Sequence, residues 1–350
     1  MSIVFHERPG VYSDYTASSV NASGGGSKTV ALIGVSTAEP GLYTVTSLTD
    51  GVTAFGDGSE LGRMLTAAYE NGAGTVLAYS LASDTAENYA SAIAAVMAEK
   101  AASYCAVGSD SVTVQQALRD AIAAASQQKG ECIGVVGMDV PAKQDLLTRA
   151  AALDSERMVL VGPDVYRVGE TAACGGKLLA AALCGLLAAQ TDPALPLNGA
   201  VLQGFGAVSA DFSESDIDAL VQGGVTVVTA QAGQVSVLRG VTSRRTTGEG
   251  RDTTYRELGT ILVIDDVIPG IRSALASRFP RAKNNASTRG AIRSQVIVEL
   301  ESRLAREIID SYDDVTVEPS PTDATTCLVS FSFTVTHGLN RIWLTAHISV

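Results

Sequence analysis

The sequence predicts an α/β domain followed by an α+β C-terminal domain, with an extended β-strand arm at each end of the chain. Three observations lead to this fold class. Strand-like and helix-like segments alternate from residue 29 to residue 189, an order typical of a mainly parallel sheet. Longer helices and separate strands follow a loop rich in proline and glycine. The last residues alternate strictly between apolar and polar side chains.

The length and composition are those of a protein with a large core. The chain has 350 residues, 46% hydrophobic and 18% charged, which suits two domains or one core with a large insertion. Its formal net charge of −12 repels nucleic acid and anionic lipid, so no nucleic-acid partner is expected. The five cysteines include no Cys-x-x-Cys pair, and the first residues do not resemble a signal peptide. We therefore predict a cytoplasmic protein with reduced thiols.

No membrane insertion is expected from the sequence. The most apolar helix-like run, Leu178 to Ala189, is shorter than the roughly 18 residues that a bilayer requires.

The N-terminal residues do not have the pattern of a core element. Pro9-Gly10-Val11-Tyr12 breaks any helix, so residues 1–20 are predicted to form an extended arm. Residues 21–28, rich in glycine and serine, are predicted to form a flexible linker. Their glycine run superficially resembles a phosphate-binding loop, but Ser27 rather than glycine precedes Lys28, and a strand follows rather than a helix. The linker is therefore the favoured interpretation.

From residue 29 onward, apolar runs rich in β-branched residues alternate with amphipathic segments. The predicted strands are Thr29–Val35, Thr75–Tyr79, Tyr104–Val107, Cys132–Val136 and Met158–Val161. The predicted helices are Leu61–Tyr69, Ala86–Lys100, Val112–Ser126, Ala142–Leu153 and Gly175–Ala189. This order predicts an α/β domain over residues 29–205.

The character of the sequence changes after the loop at residues 191–209, and a second domain is predicted over residues 206–339. Helices and strands are segregated there, which is typical of an α+β unit. The predicted strands are Val225–Ala230, Val235–Leu238 and Val315–Val317, and the predicted helices are Ile217–Val221, Glu257–Phe279 and Ala291–Ile309. The acidic cluster before Ile217 could suggest a cation site, but Ser213 and Asp216 fit a helix start better.

Two strands are predicted at the end of the chain, joined by a turn at residues 337–340. Val329, Phe331, Phe333 and Val335 alternate with serine and threonine, and the alternation resumes from Ile342 to Val350. A terminal strand with unpaired backbone groups promotes aggregation. Such a strand must pair within its own sheet or be donated to another copy, and its sequence pattern is compatible with both.

No catalytic constellation, metal-ligand spacing or cofactor motif emerges. The three histidines are not spaced as ligands, no serine has the nucleophile-elbow pattern, and Gly204-Phe205-Gly206 lacks the rest of a dinucleotide fingerprint. We therefore expect no enzyme activity, cofactor or metal. The alternative is a cytoplasmic α/β enzyme with a dimerising C-terminal domain, which would bind its ligand at the carboxyl ends of the strands.

Charged segments provide candidate contacts for another molecule. Arg244 and Arg245 lie in a basic stretch within an acidic chain. The helix predicted at 291–309 has an apolar face and a charged face. The candidate contacts on that helix are Arg293, Arg303, Arg306 and Glu307.

The chain resembles the tail sheath proteins of contractile phage tails and phage-tail-like bacteriocins. The resemblance spans nearly the whole chain and rests on pattern and order. The segments that carry it are Arg8–Tyr12, Glu70–Tyr79, Asp216–Val227, Gly240–Arg244 and Leu258–Val350. The chain lacks the large outer insertion of bulky phage sheaths, so it looks like a minimal sheath, of either a small phage or a bacteriocin.

The resemblance implies that both ends of the chain are exchanged between subunits. The α/β domain would face outward, and arms at residues 1–20 and 340–350 would complete a sheet in the C-terminal core domain of a neighbour. The residues implied at these inter-subunit arms are Pro9, Gly10, Val11, Tyr12, Ile342, Trp343, Leu344, Ala346 and Ile348.

The resemblance also implies partners and a mechanism. Such subunits form stacked hexameric rings, a helical homopolymer around an inner tail tube, and they also contact baseplate and tail terminator proteins. Assembly would occur in the cytoplasm of the host bacterium, and the product would be a virion tail or a released tail-like particle. Contraction from a metastable extended state would drive the tube through a bacterial envelope without a nucleotide.

Overall fold

The computed structural model describes residues 28–247, 250–251, 255–340 and 343–346. The predicted arm at 1–20, the linker as far as residue 27, and Ile342 and Ile348 lie outside these residues. The helices within the described residues are α1 Leu48–Phe55, α2 Glu60–Glu70, α3 Ala86–Glu99, α4 Val112–Gln127, α5 Lys143–Leu153, α6 Gly176–Ala189, α7 Glu214–Gln222, α8 Leu258–Arg278 and α9 Ala286–Ala305.

Strands account for much of the remaining described chain. They are β1 Thr29–Val35, β2 Gly41–Val45, β3 Val76–Leu81, β4 Ala102–Val107, β5 Ile133–Val136, β6 Met158–Gly162, β7 Val165–Arg167, β8 Val201–Leu202, β9 Phe205–Val208, β10 Val225–Gln231, β11 Gln234–Arg239, β12 Thr246–Thr247, β13 Gly250–Arg251, β14 Ile309–Pro319 and β15 Cys327–Val335.

A nine-stranded sheet organises the first two thirds of the chain, in the order β2-β3-β1-β4-β5-β6-β10-β11-β8. The strands from β3 to β10 in this order run parallel, and antiparallel strands close both edges. Parallel strands are buried on both faces, which explains their continuous apolar sequences. In β1, for example, the residues from Val30 to Gly34 are all buried. The predicted α/β fold with a mainly parallel sheet is confirmed.

Helices cover both faces of this sheet. On one face α3, α4, α5 and α7 contribute buried side chains to a single core with β1, β4 and β6. On the other face α2 and α6 pack against the sheet. Helix α6 is apolar on all sides because it lies between the sheet and α2, so protein covers its whole circumference.

The contact between α2 and α6 is a close approach of two backbones. A methyl group added to Gly185 of α6 would lie 2.2 Å from the carbonyl oxygen of Ala68 in α2. A glycine is required at this point because no side chain fits between the helices.

Helix α8 belongs to two hydrophobic cores at once. Leu258, Ile261 and Leu262 pack into the core beneath the sheet. Val263 and Val267 belong instead to a separate C-terminal core that α8 builds with α9 and the hairpin β14–β15. This second core is the α+β unit that the sequence predicts, and α8 joins it to the sheet.

The sheet extends beyond the boundary predicted between residues 205 and 206. β10 pairs in parallel with β6, and β11 adds the next strand, so residues up to Arg239 belong to the α/β layer. The sequence suggests an earlier boundary because β10 and β11 form a hairpin, without the helix that separates the preceding parallel strands.

Local chemistry sets the ends of the C-terminal helices. Ser213 accepts a hydrogen bond from the backbone N–H of Asp216 and begins α7, which confirms the predicted helix start. Asn285 accepts one from Thr288 N at 2.9 Å, so α9 starts before residue 291. It also ends before the predicted residue 309, because Glu307 has a φ of 58° and the chain turns there into β14. The pattern also missed α1, β2 and the short strands β7, β8 and β9.

We predict opposite effects for two glycine-to-alanine substitutions. Gly185→Ala forces a methyl group against the α2 backbone and should lower the free energy of unfolding by about 1–3 kcal/mol. Gly290→Ala, in α9, meets nothing within 4 Å and should raise it by about 0.5–1 kcal/mol, because alanine loses less backbone entropy. Urea unfolding of both variants measures the difference. Equal gains in stability would show that α2 and α6 are not closely packed at Gly185.

Candidate subunit interface

The hairpin β14–β15 has an apolar face and a polar face. Its apolar side chains, among them Val315 and Phe333, face the C-terminal core and pack with α9. On the opposite face, paired positions such as Asp313 and Ser332 are exposed polar residues. The alternation predicted from Val329 to Val335 is the strand β15, so this strand prediction is confirmed.

Within the described part of the chain, this hairpin is a sheet of two strands with no third strand on either side. Each outer edge therefore presents backbone N–H and C=O groups in the pattern that accepts another strand. The apolar side chains of β15 are also incompletely covered, since Val329, Phe331, Phe333 and Val335 are all only half-buried. A strand placed beside β15 would both pair with its backbone and cover this apolar surface.

The chain leaves the hairpin along a fixed path. Asn340 Oδ1 accepts a 2.8 Å hydrogen bond from Asn198 Nδ2, in the loop after α6. Gly338 lies so close to this loop that an added methyl group would be 2.8 Å from Pro196 Cβ. These two contacts therefore hold residues 338–340 against the loop after α6, just before the C-terminal residues of the chain.

The described residues beyond this point have no contact that could bury them. Trp343 is 94% exposed and Leu344 is 87% exposed. Residues 343–346, which include the predicted arm residue Ala346, are all exposed and form no strand with any described part of this chain. Large apolar side chains in such a position are available to a neighbouring molecule.

Arg244 and Arg245 contact their own chain. Arg244 Nη1 donates to the carbonyl oxygen of Asp154 at 3.3 Å and lies 3.8 Å from a carboxylate oxygen of Glu156. The backbone N–H of Arg245 donates to Asp154 Oδ1 at 2.6 Å. Both arginines are half-buried, and their role as inter-subunit contacts stays a prediction.

The four candidates in or just after α9 do not share one surface. Arg293 is exposed and donates from Nε to the carbonyl oxygen of Val315 at 2.8 Å. Arg306 and Glu307 are exposed just beyond the end of the helix. Arg303 differs from the expectation, because it is only 8% exposed and its guanidinium is held within the chain. It is a structural residue here, since its apolar neighbours Leu300 and Leu304 place it on the inward side of the helix.

Arg303 takes part in a group of ion pairs that join α8 to the elements packed against it. Its Nε donates to Asp266 Oδ2 at 3.0 Å. Arg157, just before β6, donates to both carboxylate oxygens of Asp265 at 3.0 and 2.8 Å. Arg272 donates to Glu131 Oε1, just before β5, at 3.3 Å. We call these pairs, which link α8 to the sheet and to α9, the junction cluster.

Burial changes the titration of one group in this cluster, Asp265. Burial raises the pKa of Asp265 to about 6, opposed by Arg157 and Lys28 and assisted by Glu131. Sequence patterns missed the cluster because its members are far apart in the chain. One signal was present: Asp265, Asp266 and Arg272 interrupt the otherwise apolar helix α8, and charges in a helix shared by two cores need partners.

The crevice that the enzyme alternative requires is filled by the protein's own side chains. The strand order reverses at β1 and β4, which is where doubly wound sheets bind ligands. Glu60 reaches this point, accepts a 3.2 Å hydrogen bond from Val35 N and a 3.3 Å one from Tyr89 Oη, and pairs with Lys177 Nζ at 2.6 Å. Gly108 is necessary beside it, since an added methyl group would lie 2.2 Å from Glu60 Oε1.

None of the helices in the described residues combines the length and the hydrophobicity that a membrane span needs. The same residues include no cluster of three histidine, cysteine or acidic side chains placed to hold a metal ion.

Two family models match this chain. The model of the phage tail sheath protein central domain matches residues 82–243, and that of the phage tail sheath C-terminal domain matches residues 251–349. This chain belongs to the phage tail sheath protein family. The two matches meet between residues 243 and 251, close to where the sheet ends and α8 begins. No curated protein sequence is detectably similar to the chain.

Solved structures of other sheath proteins share this fold. The sheath tail protein from Desulfitobacterium hafniense is 15% identical, with a TM-score of 0.71 over 93% of this chain and 100% of that one. The contracted helical sheath of the anti-feeding prophage is 16% identical, with a TM-score of 0.74 over 99% and 100%. The sheath tail protein from Listeria innocua is 13% identical, with a TM-score of 0.72 over 90% and 93%. These likenesses confirm the predicted mixed α/β fold.

We predict that breaking the junction cluster destabilises this sheath protein in a pH-dependent way. Arg157→Met leaves Asp265 buried without its bidentate partner, which should cost about 3–5 kcal/mol at pH 8. The pKa of Asp265 in the fold, about 6, exceeds its ordinary value of 3.8, so stability falls as pH rises through that range. The loss should therefore be smaller at pH 5, where the carboxyl is neutral.

Urea unfolding at both pH values measures this effect. Arg63→Met is the matched control, because Arg63 pairs with Glu170 at 3.4 Å on the surface and should contribute no more than about 1 kcal/mol. A loss for Arg157→Met that is the same at pH 5 and pH 8 would contradict the role assigned to Asp265.

Proposed function

We propose that this protein is the structural subunit of a contractile tail sheath and polymerises helically around an inner tube by exchange of β-strands between subunits. The proposal rests on two features of this chain that complement each other. Among the described residues, no third strand pairs with the hairpin β14–β15, the apolar side of β15 is only half-covered, and Trp343 and Leu344 are exposed beyond it. Each copy thus offers both a strand acceptor and a candidate donor.

Donation of a strand to a neighbouring copy would use both the hairpin edge and the exposed C-terminal residues. An added strand gains backbone hydrogen bonds along β14 or β15 and covers the apolar side chains beneath. Because the donor and acceptor are different surfaces of one molecule, the contact is heterologous and continues from copy to copy. A heterologous contact that does not close into a ring produces a helix, the form that a sheath requires.

The distribution of charge supports a cohesive role for the C-terminal unit. Residues 29–243 contain 22 acidic and 10 basic side chains, so the whole net charge of −12 lies in this part. Copies of the α/β layer therefore repel one another. The attraction that holds a polymer together must then come from the hairpin, the arms and their surroundings.

The proposal also covers the partners of the subunit and the place of its assembly. Copies of this chain form stacked hexameric rings around an inner tail tube, with baseplate and terminator proteins at the two ends. The candidate contacts for the tube or another subunit are the exposed Arg293, Arg306 and Glu307 and the half-buried pair Arg244 and Arg245. The related structures include contracted sheaths and a baseplate of the anti-feeding prophage, which supports this assignment. We also propose assembly in the host cytoplasm followed by incorporation into a tail or tail-like particle.

Contraction needs no chemical reaction in this proposal. Subunits exchange one set of contacts for another of lower free energy, and the difference drives the tube forward. The filled crevice at Glu60 and Lys177 fits a sheet that acts as a rigid body and does not serve as a ligand site. We therefore propose a structural protein, and no described feature favours the enzyme alternative.

We expect a protein that ends at Asn340 to fold but fail to assemble. The described residues beyond Asn340 bury no large side chain against this chain, so the truncated protein should keep the thermal unfolding midpoint of the full chain. Negative-stain microscopy of each protein with the tube protein should show striated sheaths from the full chain alone. Unfolding of the truncated protein would place the last strand in its own core and contradict the donation model.

Trp343→Ala should weaken assembly more than Thr345→Ala. Both side chains are exposed in the single subunit, so neither change should alter its thermal unfolding. An aromatic anchor contributes much of the energy of an interface, so the tryptophan variant should need roughly tenfold more protein to form sheaths. Sedimentation of assembled material across a concentration series measures this. Equal effects of the two substitutions would remove Trp343 as an anchor.

A further inference from the structure

The turn between α8 and α9 concentrates positive charge in a protein that is acidic as a whole. Residues 267–298, which span most of the two helices and the loop between them, contain six basic side chains and no acidic one. One of the six, Arg272, pairs with Glu131. The other five lie in the last turn of α8, the connecting loop and the first turns of α9. We call these five residues the basic corner: Arg278, Arg281, Lys283, Arg289 and Arg293.

The described part of this chain does not neutralise the charge of the basic corner. Three of its arginines donate hydrogen bonds to neutral groups, namely the side chains of Gln295 and Asn284 and the carbonyl oxygen of Val315. Arg281 and Lys283 are exposed in the connecting loop. The surface therefore carries several positive charges that a second molecule could approach.

The basic corner is held in a defined position. Asn284 Nδ2, within the connecting loop, donates to the carbonyl oxygens of Ala324 and Thr326 at 2.8 and 3.2 Å, so the loop lies against the turn between β14 and β15. This turn contributes one carboxylate, Asp323, whose oxygens accept hydrogen bonds from Thr325 and Thr326. A single carboxylate offsets at most one of the five positive charges. A positioned group of like charges is suited to bind a surface of opposite charge.

The C-terminal unit, which includes the basic corner, is attached at the amino ends of the parallel strands. Arg157, just before β6, donates to Asp265 of α8 at 2.8 Å. Glu131, just before β5, accepts a 3.3 Å hydrogen bond from Arg272 of α8. Arg278 follows Arg272 by about 9 Å along the same helix, at 1.5 Å per residue. The basic corner therefore lies on the amino side of the sheet.

The carboxyl ends of the same strands form the opposite end of the α/β layer, and this end is acidic. Asp84 and Glu87 follow β3, and Asp57 lies just before α2, which begins beside the end of β1. All three side chains are exposed. Lys177 and Arg149 at this end are each paired with a different carboxylate. We call the surface formed by Asp57, Asp84 and Glu87 the acidic edge.

We propose that the basic corner of one subunit docks on the acidic edge of a second copy. The inference rests on the proposed function, in which copies of this chain form a polymer, and adds a contact that does not depend on strand exchange. The two surfaces lie at opposite ends of one subunit, so the contact is heterologous and repeats from head to tail. It also counteracts the repulsion between α/β layers, because an acidic layer then faces a basic surface.

A charge swap tests this contact in the full chain. The corner variant, Arg281→Glu with Lys283→Glu, reverses two exposed charges in the connecting loop. The edge variant, Asp84→Lys with Glu87→Lys, reverses two exposed charges at the acidic edge. The combined variant carries all four substitutions and restores opposite charges across the proposed contact.

The matched control is Lys100→Glu with Lys129→Glu. It changes the net charge by the same amount as the corner variant, but these lysines follow α3 and α4 and lie outside the basic corner. The control therefore separates a specific contact from a general effect of added negative charge. Thermal unfolding of each variant establishes that it folds.

The measured quantity is the protein concentration at which sheaths form on the tube protein, determined by sedimentation. The corner and edge variants should each need roughly tenfold more protein than the wild type, because like charges then face each other. The control should behave as the wild type does, and the combined variant should recover most of the loss. A combined variant no better than the corner variant, or a control impaired as much as the corner variant, would overturn the proposal. A basic corner that binds the tube would give the first of these results.

A second measurement needs no sheath. A carbodiimide joins a lysine to a carboxylate only where the two are in direct contact, and a mixture of ¹⁴N- and ¹⁵N-labelled full chains distinguishes links between copies from links within one. At low salt, Lys283 should be linked to Asp84 or Glu87 of a differently labelled copy, and high salt should abolish the link. Absence of this link between copies at low salt would overturn the proposal.

The two proposals fail in different ways. Assembly by a protein that ends at Asn340 would contradict strand exchange and leave the charge swap to decide on the basic corner. Failure of the wild type to form sheaths would count against the proposed function, and the carbodiimide links would still decide whether the corner and the edge meet.

Discussion

The structure depends on the neutralisation of charge around helix α8. This helix belongs to the core beneath the sheet and also to the core beneath the hairpin, and its charged residues Asp265, Asp266 and Arg272 are only partly exposed to water. The bidentate contact between Arg157 and Asp265 and the contact between Arg303 and Asp266 make that position tolerable. A buried pair resists separation strongly, since removing one partner leaves the other charge uncompensated. The two units are therefore held in one fixed relation.

A fixed relation between the units suits a protein that works by exchanging contacts with its neighbours. If the two units could rotate freely about α8, a change of contact at the hairpin would move only the C-terminal unit and leave the α/β layer in place. With the junction rigid, the same change displaces the whole subunit, including the α/β layer. In the proposed assembly, neighbours would complete the hairpin edges and cover the exposed Trp343 and Leu344.

The sequence was most informative where one physical rule acts alone. Continuous apolar runs predict the parallel strands, and strict alternation predicts β15, because burial of one or both faces determines these patterns. The predicted start of α7 followed its capping residue Ser213, whereas the start of α9 was predicted after its capping residue Asn285. The end of the sheet was misplaced because β10 joins the sheet by pairing with β6, which lies far away in the sequence, and such pairing leaves no local signal. The junction cluster escaped prediction for the same reason, since Arg157 and Asp265 are brought together only by the fold.

The contacts that hold the chain near Asn340 bear on whether two subunits could pair with each other and stop growing. Two copies with freely swinging ends could exchange strands reciprocally, satisfy each other's hairpins and form a closed pair that adds no further subunit. The contacts of Gly338 with Pro196 and of Asn340 with Asn198 restrict the direction in which the end can leave. In the strand-exchange model, a restricted direction would disfavour reciprocal exchange and permit one-way exchange, and these contacts would then protect the pool of free subunits from dead-end dimers.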